Sequence, residues 1–114
     1  MSLKNWYGLL GGRRNLFHQD IHGIIRELSV LVRPTLVVLD GTVSMMTNGP
    51  TGGSFSDLKP TETMIVSTDP VAADVLGARL LDRSPAQLPF IAEAASVGAG
   101  TADVDRLDIK ELRL

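Results

Sequence analysis

"TLVVLDGTVSMMTNGPTGGSFSDLKPTETMIVSTDP", residues 35–70, decides how this chain of 114 residues folds. It contains two apolar, β-branched runs, "TLVVLD" (35–40) and "TMIVSTD" (63–69), each ending in an acid. Both runs read as strands buried on two faces, as in a helix-covered sheet. Between them, residues 41–62 are crowded with turn formers: Asn48-Gly49-Pro50, Gly52-Gly53, Ser54, Asp57 and Pro60. A connection of that length in a compact domain is usually functional or mobile. If the strands are parallel neighbours, Asp40 and Asp69 share the carboxyl edge of the sheet, where open α/β sheets bind ligands. A long antiparallel link would instead put the two acids at opposite ends.

Upstream, "FHQDIHGIIRELSVLV" (17–32) predicts a helix. Ile21, Ile24, Ile25, Leu28 and Leu31 fall at i, i+3, i+4, i+7 spacing and make one apolar stripe. Gly23 inside it costs about 1 kcal/mol relative to Ala and suggests a close contact. Arg33-Pro34 ends the helix, because a residue before proline is pushed out of the α region. Residues 1–16 read as an irregular arm broken by Gly8, Gly11 and Gly12. Downstream, Asp69-Pro70 opens a helix over 70–81, with the acid as N-cap and the proline at the first helical position. Val71, Ala72, Val75, Leu76 and Leu80 form its expected buried face. Ser84-Pro85-Ala86-Gln87 repeats the cap-plus-proline pattern as a capping box. A helix over about 89–97 follows, stopped by Gly98, and "LDIKELRL" (107–114) reads as a last strand. The expected architecture is α/β: one domain with a small three-layer-type sheet of about three strands and three helices.

Composition narrows the function classes. The hydrophobic fraction is 44% and the charged fraction 21%, ordinary for a globular protein, while aromatics are only 4%, so the core must be aliphatic. The net charge of −2 and the lack of any basic tract argue against nucleic-acid binding. No run of about 18 apolar residues exists to span a membrane, and the N-terminus lacks a signal-peptide pattern. The chain has no cysteine, which rules out disulfides, thiolate catalysis and an iron–sulfur cluster held by Cys of this chain. A cytoplasmic location fits that usage.

Each candidate for chemistry has a plain structural alternative. Asp40 and Asp69 are either strand-end ligands or bases, or caps of a turn and a helix. In "NGPTGG" (48–53), Asn48, Gly49, Gly52 and Gly53 could bring backbone N–H groups close to an anion. The loop has neither a phosphate-loop lysine nor a dinucleotide fingerprint. His18 and His22, at i, i+4 on the predicted helix, could hold a metal with Asp40 as third ligand. They lack the glutamate of the zinc-protease motif. Asp74 either faces a ligand from the first turns of its helix or is buried with a partner, for which Lys4, Arg13 and Arg79 are the candidates. Met45-Met46 lines a site or packs in the core.

Several segments together resemble one family. "SLKNWYGLL" (2–10), "RNLFHQDIH" (14–22), "LVVLDGTVSMMTNGPTGG" (36–53), "IVSTDPVAAD" (65–74) and "VGAG" (97–100) are similar, in order and spacing, to the C-terminal half of the domain-of-unknown-function 362 family. The resemblance implies an α/β fold and a prokaryotic, cytoplasmic protein. It maps signature positions onto Asp40, Gly41, Gly49, Pro50, Gly53, Asp69, Pro70 and Asp74, with Lys4, Asn5 and His18 upstream. Many members carry a ferredoxin-type cluster module, and this cysteine-free chain does not. A full domain of the family has about as many residues again before the "LKN" motif, which here starts at Leu3. The resemblance therefore implies a half-domain, completed by a missing N-terminal half or a partner subunit, and an exposed strand edge that favours a homo-oligomer. Two readings follow. In one, Lys4, His18, Asp40 and Asp69 form part of a site for a small anionic or metal-bound ligand. In the other, the chain is a non-catalytic module that self-associates or binds a partner.

Overall fold

The computed structural model describes residues 1–114 apart from the side chain of Arg14. The two apolar runs pair as an antiparallel hairpin, β1 (Val37–Met45) and β2 (Leu58–Ser67), the only strands among the described residues. The ladder runs from Val37 opposite Ser67 to Met45 opposite Leu58. Of the two orientations the sequence leaves open, the structure has the antiparallel one. Residues 41–45 and 58–62, expected in the loop, extend the strands, and the remaining turn carries no crossover helix of the kind parallel strands need. Nor are the strands buried on both faces. Val37, Gly41 and Ser44 point inward and are buried, while Val38, Val43, Met64 and Val66 are more than half exposed on the outside.

Short helical turns precede the hairpin. Helix α1 (Ser2–Asn5) and a 3₁₀ turn at Trp6–Leu9 replace the expected irregular arm, and Leu3 and Tyr7 are buried from them. Helix α2 (Arg14–Phe17) and a 3₁₀ turn at His18–Asp20 lead to α3 (Ile21–Leu31). The predicted helix therefore starts later, at the N-cap Asp20, whose carboxylate accepts the Gly23 N–H at 3.1 Å. A side chain at position 23 would run into that carboxylate, so Gly23 marks the cap and not a helix–helix contact. Ile25 and Leu28 are buried as the stripe requires, whereas Leu31, at the last turn, is 80% exposed.

Helix α4 (Pro70–Leu80) organises the core. Its predicted cap and N1 proline are in place, but it is not one-sided. Val71, Ala72, Ala73, Asp74, Val75, Gly77 and Ala78 are all buried. A helix that is apolar all round sits inside a protein, and α4 packs against the sheet on one side and against α1 and α5 (Pro89–Ser96) on others. Gly77 allows that approach. A Cβ there would lie 3.0 Å from Leu39 Cδ1. The capping box at Ser84–Gln87 forms, with Ser84 N–H donating to Gln87 Oε1 at 2.9 Å. Gly98 (φ +81°) ends α5. Leu3, Ile25, Val71, Val75, Phe90, Ile91 and Val104 close one core cluster.

The expected last strand does not form. Residues 107–114 have no ladder partner, and Ile109, Leu112 and Leu114 are exposed. The fold is thus mixed α/β with two strands in place of the expected three. Among the described residues, no helix is long and apolar enough to cross a membrane.

Candidate functional site

Antiparallel pairing separates the acids. Asp40 lies within β1, opposite Met64, and Asp69 lies just past the end of β2 that pairs with the start of β1. The glycine loop closes the other end of the hairpin, about 26 Å away at about 3.3 Å per residue. Asp40, Asp69 and the 48–53 loop do not converge on one site.

Each acid instead satisfies backbone groups of its own neighbourhood. At Gly41–Val43 the ladder slips, and Thr61 and Glu62 of β2 face Thr42 alone. This is a β-bulge, and Glu62 takes a left-handed backbone (φ +43°). Asp40 accepts the Thr42 N–H at 2.9 Å and the Thr42 hydroxyl. Those bonds, the hydroxyl first, hold its carboxyl below the usual Asp range. Asp69 uses both oxygens. Oδ1 accepts Ala72 N–H at 2.9 Å as the α4 cap, and Oδ2 accepts Thr101 N–H at 2.8 Å. Gly100 is bare because any side chain there would strike that carboxylate.

Asp74 is fully buried. It accepts Ser2 N–H at 2.6 Å, Ser2 Oγ–H at 2.9 Å and Leu3 N–H at 3.2 Å, so it caps α1 from inside α4. Burial pushes its carboxyl up, and the Ser2 hydroxyl bond opposes that only partly. The partner anticipated among Lys4, Arg13 and Arg79 is therefore a set of N–H and O–H donors at the chain's start.

The loop is organised by Asp57, which the sequence reading counts only as one turn former among several. Its carboxylate accepts from the Thr47 hydroxyl, Asn48 Nδ2 at 3.0 Å and Ser54 N–H at 2.7 Å, and its carboxyl is lowered, chiefly by Thr47. The signal was present in "SFSD" (54–57), an S-x-x-D capping pattern. Gly49 and Gly53 make room for Met45, whose Sδ and Cε would lie 3.1 and 3.0 Å from a Cβ at those positions. Gly52 supplies a positive φ of 91°. The glycines serve packing and turning of the hairpin.

The histidines do not share a helix face, because Asp20 breaks the helix between them. His18 meets Tyr7 edge-on at 5.0 Å, and His22 stacks on Phe90 at 6.2 Å with its Nδ1 buried and unpaired. Lys4 is exposed on α1. Among the described residues, no group of three His, Cys, Asp or Glu side chains is placed to hold a metal.

Two concavities bear on these residues. A groove of about 330 Å³ separates Met1, Ser2, Asn5 and Trp6 from residues 36–40 on the unpaired edge of β1. It joins Asn5 and Asp40, two of the positions singled out from sequence, and the buried indole N–H of Trp6 has no acceptor. A smaller cavity of about 170 Å³ lies past the end of β2, between Ser29, Arg33, Thr68 and Gly98.

Comparison with known proteins agrees with the resemblance. No curated protein and no solved structure matches the chain. The family model described as "Domain of unknown function (DUF362)" matches residues 1–79, from α1 to within one residue of the end of α4. That covers the groove, the hairpin and the acids Asp40, Asp69 and Asp74, and the chain belongs to the DUF362 family.

Proposed function

We infer that this chain is a non-catalytic association module, a partial α/β layer completed by a second copy of itself. One observation carries the reading. The hairpin is covered by α4 on one face only, and its other face presents Leu36, Val38, Met64 and Val66, each 55–64% exposed. Val38 and Val66 are directly opposite one another and Met64 is opposite Asp40, so these side chains form one patch. A two-stranded hairpin is marginal alone and needs more strands or a second packed layer. Contiguous apolar surface of this kind marks interaction sites. The acids that would serve chemistry are occupied as caps of α1, α4 and the bulge, which fits a structural role. Light scattering at micromolar concentration tests the reading. The expected mass is at least twice that of the chain, and Val66→Asp should return it to the monomer. A monomeric wild-type protein over the whole accessible concentration range refutes it.

A second reading keeps a small anionic ligand at a strand end. It is supported by the cavity past β2, where Arg33 is the one charged wall residue and Ser29 and Thr68 add hydroxyls. Inorganic phosphate should then raise the melting temperature of the wild type and not of Arg33→Ala. Equal responses of the two proteins reject it.

A further inference from the structure

An open strand edge and a strand-like segment without a partner occur in the same chain. β1 pairs only with β2, so the backbone of residues 36–40 on its far side is unpaired, and that side forms one wall of the 330 Å³ groove. The opposite edge, on β2, is unsuited to another strand. It contains Pro60, which has no N–H, and the left-handed Glu62. Residues 108–114, "DIKELRL", make no backbone hydrogen bond among the described residues. Leu112 and Leu114 are almost wholly exposed, although α5 and Val104 just before them are packed into the core.

We propose that residues 108–114 of a second copy enter the groove as an antiparallel strand on the β1 edge, each copy giving its tail to the other. This rests on the self-association reading and specifies its contact. The register follows from charge and face. Lys110 opposite Asp40 pairs two exposed opposite charges, and the same register puts Leu112 opposite Val38 and Leu114 opposite Leu36. The tail's leucines then extend the outer apolar patch by one strand. The alternate residues turn to the groove wall, and Glu111 becomes an acceptor on the side where the Trp6 indole N–H lacks one. Main-chain bonds along an open edge supply affinity, and alternate side chains supply specificity. Reciprocal exchange of an identical element gives a closed dimer.

The absence of native cysteine makes cross-linking a clean test. Residues opposite one another on antiparallel strands have Cα atoms about 4.5–5.5 Å apart, within disulfide range. Full-length Val38→Cys and Leu112→Cys chains, one carrying a size tag, are mixed, equilibrated and oxidised. The expected product on a non-reducing gel is a single species whose mass is the sum of the two chains. The double variant Val38→Cys/Leu112→Cys should yield a dimer linked twice. If the double variant instead closes on itself without a change in mass, the tail belongs to its own chain and the proposal is overturned. If no disulfide forms while light scattering still reports a dimer that Val66→Asp dissociates, the exchange is wrong and the association reading stands. A monomer in every measurement overturns both.

Discussion

Asp69 shows how much one carboxylate can hold. Its two oxygens tie the first turn of α4 to the Gly100–Thr101 backbone, 32 residues downstream. Asp69→Ala should cost about 1–2 kcal/mol for the cap, a melting decrease of about 4 °C or more, with faster amide exchange at Thr101. A loss confined to α4 would contradict the latch. The cap was legible in "TDP", because capping is local. The bond to Thr101 was not, because it depends on a turn that folds back from α5. Asp74 makes a different prediction. Burial raises its carboxyl above the ordinary value of 3.8, so the native state keeps a proton that the unfolded chain has shed. The stability from this group is fully present below 3.8 and is lost as pH rises through the folded value. The stability of wild type minus Asp74→Asn, from urea unfolding between about pH 3 and pH 7, should therefore fall with pH. Asp40 and Asp57 have the opposite sign. Their lowered carboxyls contribute above 3.8, and that contribution is lost as pH falls through their folded values.

The hairpin depends on features that a periodicity reading treats as breakers. Asp40-Gly41 looked like the end of a strand, yet β1 runs five residues further. A Cβ at Gly41 would lie 2.6 Å from Leu80 Cδ1 and 3.0 Å from the Thr63 carbonyl oxygen, and Asp40 accepts the Thr42 N–H at the bulge. Both facts depend on the partner strand and on α4, so neither is encoded locally. Helix boundaries were easier, since Pro70, Pro85, Pro89 and Gly98 act within one turn of where they sit. Gly41→Val should destabilise the hairpin as a whole, by the few kcal/mol typical of overpacking, seen as lost protection in both strands. Asp57→Ala should act only on the connection. Amides 46–57 should exchange faster while those of 37–41 and 63–67 stay protected, because that half of the ladder packs on α4 through Leu39 and Gly41. Uniform loss along both strands would show that the loop sets the register.

For the molecule as a whole, the outer sheet face and the β1 edge are its least satisfied surfaces, and both lie on the segment that the family model covers. If association completes the layer, folding and assembly are linked, and the melting temperature should rise with protein concentration. Val66→Asp should abolish that dependence, and a concentration-independent wild type would argue for a self-sufficient fold. The α/β class and the order of the three longer helices, α3 to α5, could be read in the sequence because they rest on local signals, whereas the short turns α1 and α2, held by tertiary contacts, replaced an expected irregular arm. The loss of a third strand could not, because "LDIKELRL" has a strand's pattern and only its neighbours decide whether it pairs.

The Ser2–Asp74 contact has a consequence for biosynthesis. It joins residues 72 positions apart, and α1 has its cap and its core neighbours in α4. During synthesis Leu3 therefore stays uncovered until residues 70–80 have left the ribosome, and Ile25, on the helix that packs against α5, until residues 89–96 have followed. Leu3 is thus buried only by a helix made well after it. Stalling or cleavage anywhere before Pro70 leaves a fragment with sticky apolar turns and no helix to receive them, a natural client for chaperones.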